Sequence, residues 1–278
     1  MNLERQLNES LTMIRQHTTL TPRIGLILGS GLGDFADTLA EAVRIPTAEI
    51  PHYPRSTVVG HKGYLVFGRV DNVPVLAVQG RVHIYEGHPP ATVAYNVRLM
   101  HRLGVQDLIV TNAAGGVNPL FQPGDLMVIV DHINFLFRNP LRGSVVPGEP
   151  RFPDMFDNYH PPYIELLQQI GLELGIPLRK GVLFVSTGPS YETAAEVQMI
   201  RRLGGDAVSM STVPEVLVAR ARGIRVAGIS CITNLATGIS PTPLSHEEVT
   251  EIANQVKDKF QRLVRQAIIR IDQENSGG

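Results

Sequence analysis

A chain of 278 residues with 43% hydrophobic and 18% charged content can bury a substantial core; we read residues 1–278 as a single domain. A formal net charge of −1 supplies no excess field of Lys and Arg, which argues against nucleic acid or a membrane surface as partner. The one cysteine, Cys231, cannot form an internal disulfide, and its apolar run GISCIT reads as a buried, inert thiol.

In chain order, Leu3, Leu7, Leu11 and Ile14 recur at helical spacing. Glu4, Arg5, Glu9 and Arg15 interrupt the apolar residues there, so no signal-peptide core is expected, and no stretch approaches a membrane span. A cytoplasmic protein is the expectation. Arg23 to Leu28 reads as a buried strand running into GSGLG. The runs Tyr64 to Val70 and Val73 to Gln79 flank only Asp71-Asn72, which predicts a two-residue hairpin. A helix is expected around Thr92 to Leu103, a strand at Asp107 to Asn112 opening into AAGG, and another at Leu126 to Asp131. Residues 141–162, rich in Pro, Gly, Arg and Asp, predict one long loop of the kind that often serves as a lid or binding segment. Helices and strands then alternate from Pro162 to Thr233, and an amphipathic helix is expected from His246 to about Ile271. The class is α/β, with a mixed central sheet flanked by helices because of the hairpin.

Three pairs fit the capping-box pattern: Thr193 with Glu196, Thr212 with Glu215, and Ser245 with Glu248. Glu192 and Ser211 stand just before two of these boxes and His246 inside the third, on the strand-to-helix side that holds ligands in open α/β sheets. Glu192 can accept hydrogen bonds from ring N–H groups, and Asn234 can donate and accept at once. Ser211 lies where a helix start attracts an anion.

The glycine loop G-S-G-L-G fails the dinucleotide fingerprint at Asp34, and no Lys-Ser/Thr pair follows to make a P-loop. By itself it is a tight turn. As part of a site, its small residues let backbone N–H groups and the Ser30 hydroxyl approach an anion. In GRVHIYEGHPP, alternation along a strand end sends Arg81, His83 and Tyr85 to one face, where a guanidinium fork and an imidazole suit phosphate oxygens. The histidines do not suggest a metal site, since no H-E-x-x-H occurs and no second cysteine exists. A Ser-His-Asp hydrolase lacks its G-x-S-x-G elbow.

GSGLG, GHKG, GRVHIYEGH, TNAAGG, GPSYETAAE, MSTVPE, ITNLATG and SHEEV occur in order from residue 29 to residue 249. This succession resembles the motifs of the trimeric purine nucleoside phosphorylases. The resemblance implies a nucleoside phosphorylase fold, a homotrimer, no cofactor beyond inorganic phosphate as co-substrate, and reversible phosphorolysis of purine nucleosides to base and pentose 1-phosphate. Carried over motif by motif, Ser30, His61, Arg81, His83, the Ala113 backbone N–H and Ser211 hold phosphate. Tyr85, Met210 and His246 hold the pentose, and Tyr191, Glu192 and Asn234 hold the base. Asn234, Glu192 and His83 take the catalytic roles. Phe152, in RFPD, resembles the aromatic that this family lends to the neighbouring subunit's sugar site. Tyr191 stands where relatives often carry phenylalanine.

The implied chemistry places positive charge on the sugar and negative charge on the departing purine, so groups that stabilise those charges late are the catalysts. Methylthioadenosine phosphorylases share the fold, but their base readers are aspartate-containing motifs where this chain has YET and ITN. A catalytically silent nucleoside-binding protein is the alternative of a different class, distinguished by phosphate-dependent release of base.

Overall fold

The computed structural model describes residues 3–58, 60–240 and 246–276, with the side chains of residues 246–248 and 276 apart. Helix α1 (Leu3–His17) precedes strands β1 (Ile24–Leu28), β2 (Ala40–Pro46), β3 (Tyr64–Val70) and β4 (Val73–Gln79). Helices α2 (Pro90–Val93) and α3 (Tyr95–Leu103) lead to β5 (Asp107–Gly116) and β6 (Leu126–Asn134). Then come α4 (Pro161–Leu174), β7 (Leu178–Val185), α5 (Ala194–Arg202), β8 (Ala207–Ser209), α6 (Val213–Ala221), β9 (Arg225–Leu235), α7 (His246–Gln255) and α8 (Lys257–Ser276).

The strands form one nine-stranded mixed sheet in the order β2-β3-β4-β1-β5-β8-β7-β6-β9, and β9 also pairs with β5. That last pairing closes β5, β8, β7, β6 and β9 into a ring, from which β1, β4, β3 and β2 extend as an open wing. Strands β4, β1, β5 and β9 run parallel, so their carboxyl ends share one edge. Ligands in parallel α/β sheets bind at that edge.

The predicted hairpin is present with the expected bounds, Tyr64 opposite Gln79 and Val70 opposite Val73, and Asp71 takes the left-handed φ of 51° that its turn requires. Other boundaries differ. AAGG continues β5 instead of leaving it, because Ala113 to Gly116 pair with Cys231 to Leu235 of β9. The single closing helix is two, α7 and α8, divided at Val256. Strand β2 carries no alternation to announce it: its residues are mostly exposed, as befits an edge strand.

Two layers of apolar packing sandwich the sheet. On one side Leu7 and Ile14 of α1, Val97 and Leu103 of α3 and Val216 of α6 cover it. On the other, Tyr163 and Ile170 of α4 join Phe260, Leu263, Val264, Ala267, Ile268 and Ile271 of α8, at the spacing of one helical face. No element lies between Asn134 and Pro161, which matches the predicted long loop. Its middle is held by Glu149, whose two oxygens accept from Arg98 Nε at 2.7 Å and Nη2 at 3.1 Å, while Arg222 Nε adds 2.9 Å.

Candidate active site

The shared carboxyl edge opens into a cavity of about 460 Å³. Of the residues expected to bind ligand, Ser30, Arg81, His83, Tyr85, Ala113, Tyr191, Glu192, Met210, Ser211 and Asn234 all line it. Residues from both halves of the chain meet there because β1 and β9 each pair with β5. Leu28 ends β1 and Gly29 presses onto β5; a Cβ on Gly29 would stand 2.8 Å from the Asn112 Cα, so only glycine lets Ser30 reach Ala113. Two residues further along β5, Gly115 pairs with Asn234. At 3.3 Å per residue the Ser30–Ala113 end and the Asn234 end lie about 7 Å apart, roughly one pentose ring.

At the first end His61, His83 and Tyr85 form a column of rings. His61 and His83 stack at 5.3 Å between centroids, and His83 and Tyr85 at 4.6 Å. His61 does not itself line the cavity; its Nε2 lies 3.4 Å from Ser30 Oγ behind it. The Arg81 carbonyl accepts from His61 Nδ1 at 2.7 Å, and Glu86 Oε1 accepts from His83 Nδ1 at 3.0 Å and from the His83 backbone N–H at 2.7 Å. The Glu86 carboxylate can only accept, which assigns the proton of a neutral His83 to Nδ1 and leaves its Nε2 as the site where a proton comes and goes, whereas His61 Nδ1 is also approached by the Arg81 backbone N–H at 3.2 Å. Burial pushes the His61 pKa down to about 4, helped by the neighbouring His83. Burial also lowers His83, against the pull of Glu86. For Glu86, burial opposes ionisation, but hydrogen bonds from His83 and Thr57 outweigh it and hold the carboxyl at about 2. Glu86 was not singled out from the sequence; the signal was its place three residues after His83, the spacing of a capping pair.

Arg81 corrects two expectations. Residues 81–83 are not strand, and the guanidinium is not an open fork. Its Nη1 donates to Glu215 Oε2 at 3.0 Å and to Thr212 Oγ1 at 2.9 Å, while Nη2 donates to the carbonyls of Ile27 and Thr111. Only Nε, itself buried, has no partner in the protein. Glu215 also accepts from Asn96 Nδ2 at 3.2 Å. The Thr212–Glu215 capping box is thereby overturned: neither side chain caps α6, because a buried guanidinium draws both inward. The Thr193–Glu196 box forms as expected, with 3.2 and 2.7 Å bonds, and it presents Glu192 in the preceding loop. The Ser245–Glu248 box lies outside the described residues.

At the other end Ser186 Oγ donates to Glu192 Oε1 at 2.7 Å, which leaves Oε2 for a ligand. Asn234 is oriented from both sides: Oδ1 accepts from Thr233 Oγ1 at 3.0 Å, and Nδ2 donates to the Leu235 carbonyl at 3.1 Å. That orientation leaves one Nδ2 proton to spare. Met210 packs on Gly188, whose φ of 62° and direct contact with the Met210 thioether leave no room for a side chain. Phe152 stands 90% exposed on the long loop and does not line the cavity of its own chain. His246 begins α7, but its side chain lies outside the described residues. Cys231 is buried and its thiol is pushed up to about 12 by burial.

Among the described residues no group of three or more His, Cys, Asp or Glu is disposed to hold a metal ion, and no helix is long and apolar enough to cross a membrane.

A closed ring of strands with an open wing, and one cavity with anion donors at one end and a carboxylate and carboxamide at the other, define a nucleoside-handling α/β protein. The phosphorylase superfamily matches residues 23–269. The chain is 50% identical over 271 residues to purine nucleoside phosphorylase 1 of Bacillus subtilis, covering 96% of this chain and 99% of that one. It is 49% identical to purine nucleoside phosphorylase 1 of Geobacillus stearothermophilus, covering 95% and 96%. Among solved structures, a Schistosoma purine nucleoside phosphorylase in complex with hypoxanthine superposes with a TM-score of 0.91 at 36% identity, over 96% of this chain and 97% of that one. The Schistosoma mansoni enzyme in complex with adenosine does so with a TM-score of 0.91 at 37% identity, over 96% and 97%. The chain belongs to the phosphorylase superfamily, within its purine nucleoside phosphorylases. Its reaction is the phosphorolysis of purine nucleosides, with inorganic phosphate as co-substrate.

Proposed function

We propose that this enzyme cleaves the 6-oxopurine nucleosides inosine and guanosine and their deoxy forms, releasing the base and (deoxy)ribose 1-phosphate. The observation that carries this reading is the pairing, in one cavity, of anion donors near Ala113 with Glu192 and Asn234 about one sugar's length away.

Phosphate enters the first end and meets the Ser30 and Ser211 hydroxyls, the Ala113 N–H and His83 Nε2. Arg81 supplies positive charge from the cavity floor and offers at most its Nε–H directly, its other donors being spent within the protein. His61 acts behind Ser30. Tyr85 and Met210 flank the pentose, and His246 is assigned to its 5′-hydroxyl. Tyr191 lies beside the purine ring, Glu192 Oε2 accepts from N1–H, and the spare Asn234 Nδ2 proton is directed at N7.

As the glycosidic bond breaks, its electron pair leaves with the purine, and Asn234 stabilises the charge gathering near N7. The sugar becomes oxocarbenium-like opposite the phosphate, whose oxygen forms the new bond to the anomeric carbon. Glu86 fixes the His83 ring through Nδ1, so the proton that His83 shares with phosphate stays at Nε2. All steps are polar, and every group involved is a side chain, a backbone amide or phosphate itself.

We further propose a single catalytic domain over residues 1–278, working in the cytoplasm as a homotrimer in which the exposed Phe152 covers the sugar site of the neighbouring subunit. The test of substrate class is a side-by-side assay of inosine, guanosine, adenosine and methylthioadenosine, with and without phosphate and in the presence of chelator. Inosine and guanosine should be cleaved only with phosphate or arsenate, and chelator should not matter. Equal rates in phosphate-free buffer, or preferential cleavage of methylthioadenosine, refute the reading.

A further inference from the structure

Thr212 follows Ser211, which lines the cavity, and precedes Val213, which begins α6; it is itself fully buried. Its backbone stands at φ 79° and ψ −51°, and the Val213 N–H donates to the Ser211 carbonyl across it at 3.0 Å. These are the dihedrals and the hydrogen bond of a γ-turn in its strained form. A β-branched residue is especially ill suited to positive φ. Such a conformation persists only where the surroundings over-determine it.

The surroundings do so through one oxygen. Thr212 Oγ1 accepts from Arg81 Nη1 at 2.9 Å and from Asn112 Nδ2 at 2.8 Å. The guanidinium can only donate, and Asn112 donates through Nδ2 in the amide orientation that leaves its buried Oδ1 without a partner, so in that arrangement both lone pairs of the hydroxyl are occupied. Its own proton therefore has to go elsewhere, and Ser211 Oγ stands 3.3 Å away. Once Ser211 accepts that proton, its own O–H points onward, toward Ser209 Oγ at 3.4 Å or into the cavity. Ser209 in turn donates to the Ala113 carbonyl at 3.1 Å, so the hydroxyls form one chain with a single direction.

We propose that Thr212 is a positioning residue of the phosphate subsite: held in a strained γ-turn, its Oγ1 collects the hydrogen bonds of Arg81 and Asn112 and makes the Ser211 hydroxyl a committed donor to the anion. The inference rests on the reading that Ser211 contacts phosphate. It also accounts for the failed capping box, since the oxygen that would cap α6 is needed inside.

The experiment compares Thr212→Val, Thr212→Ser, Thr212→Gly and Ser211→Ala in the full chain, measuring KM for inorganic phosphate, KM for inosine, kcat and thermal midpoint. Thr212→Val keeps the shape but removes the acceptor. Its phosphate KM should rise roughly ten- to a hundredfold, the loss expected for a hydrogen bond to a charged partner, while inosine KM moves about twofold or less. Thr212→Ser restores the oxygen and should restore phosphate KM to within about threefold of wild type. Thr212→Gly relieves the backbone without the oxygen, so it should match Val in phosphate KM with a thermal midpoint no lower, and it carries the test if the Val variant does not fold. A wild-type phosphate KM in both Val and Gly variants, beside a raised one in Ser211→Ala, overturns the role of Thr212. A Ser variant as impaired as Val does the same. An unchanged phosphate KM in Ser211→Ala instead overturns the underlying assignment of Ser211, and the inference with it.

Discussion

Replacing Asn234 with Asp changes one atom at the base end of the cavity and reverses its hydrogen-bonding sense. In the native site Asn234 is nearly buried, at 6% exposure, and its Nδ2 spends one proton on the Leu235 carbonyl at 3.1 Å, leaving the other for the proposed contact with the purine. The carboxylate oxygen that takes its place has no proton to give to N7 as negative charge builds there. Losing one preorganised transition-state donor costs about 2.7–4 kcal/mol, or roughly two to three orders of magnitude in turnover. The same oxygen also faces the Leu235 carbonyl, an acceptor against an acceptor, which adds to the cost with inosine. A 6-amino group reverses the ligand's edge and suits the new acceptor, so the adenosine-to-inosine ratio of kcat/KM should rise even as inosine turnover falls. Steady-state phosphorolysis of both nucleosides at saturating phosphate, followed by ultraviolet absorbance, measures the ratio directly. A ratio that does not move, or a wild-type enzyme that cleaves adenosine as well as inosine, would falsify the assignment of Asn234 as base reader.

Arg81→Ala removes the cation from a pair whose side chains are 1% and 0% exposed, leaving Glu215 buried without compensation. It should cost about 3–5 kcal/mol in urea unfolding, besides any loss of phosphate affinity, and a change below about 1 kcal/mol contradicts the buried pair. Burial holds both His61 and His132 down to about 4 from the usual 6.5, with the neighbouring His83 also lowering His61. A lowered folded-state pKa means that the unfolded chain takes up protons first as pH falls. Stability from these two histidines is therefore complete above about pH 6.5 and lost toward about pH 4, at about 1.4 kcal/mol per pH unit for each while it lasts. Urea midpoints that stay level through this window argue against the arrangement. Phe152→Ala should weaken nucleoside binding, and mixing it with subunits disabled at Glu192 should recover part of the activity by completing some shared sites. No recovery after verified subunit exchange counts against sharing.

Much of the site was legible because its pieces are local. The hairpin, the Thr193 cap before Glu192 and the glycine loop after β1 each depend on neighbours within a few residues, and each appears where the spacing predicts it. The residues that failed the sequence reading are those whose partners lie far along the chain. Thr212 and Glu215 have the spacing of a cap, but Arg81, 131 and 134 residues away, competes for both side chains and wins because a buried guanidinium without acceptors is costlier than an uncapped helix start.

The order of motifs along the chain determined an α/β scaffold and pointed to an anion-friendly end and a base-reading end on its strand-to-helix side. What only the tertiary structure decided is how those sites are brought within one sugar's length. The pairing of β5 with both β1 and β9 sets Ser30, Ala113 and Asn234 on one edge, and it closes the strand ring. It also decided which donors remain for the ligand. Arg81 looks like an open fork in sequence because a side chain's chemistry is intrinsic, but its partners are set by packing: Thr212, Glu215 and two carbonyls take its terminal protons.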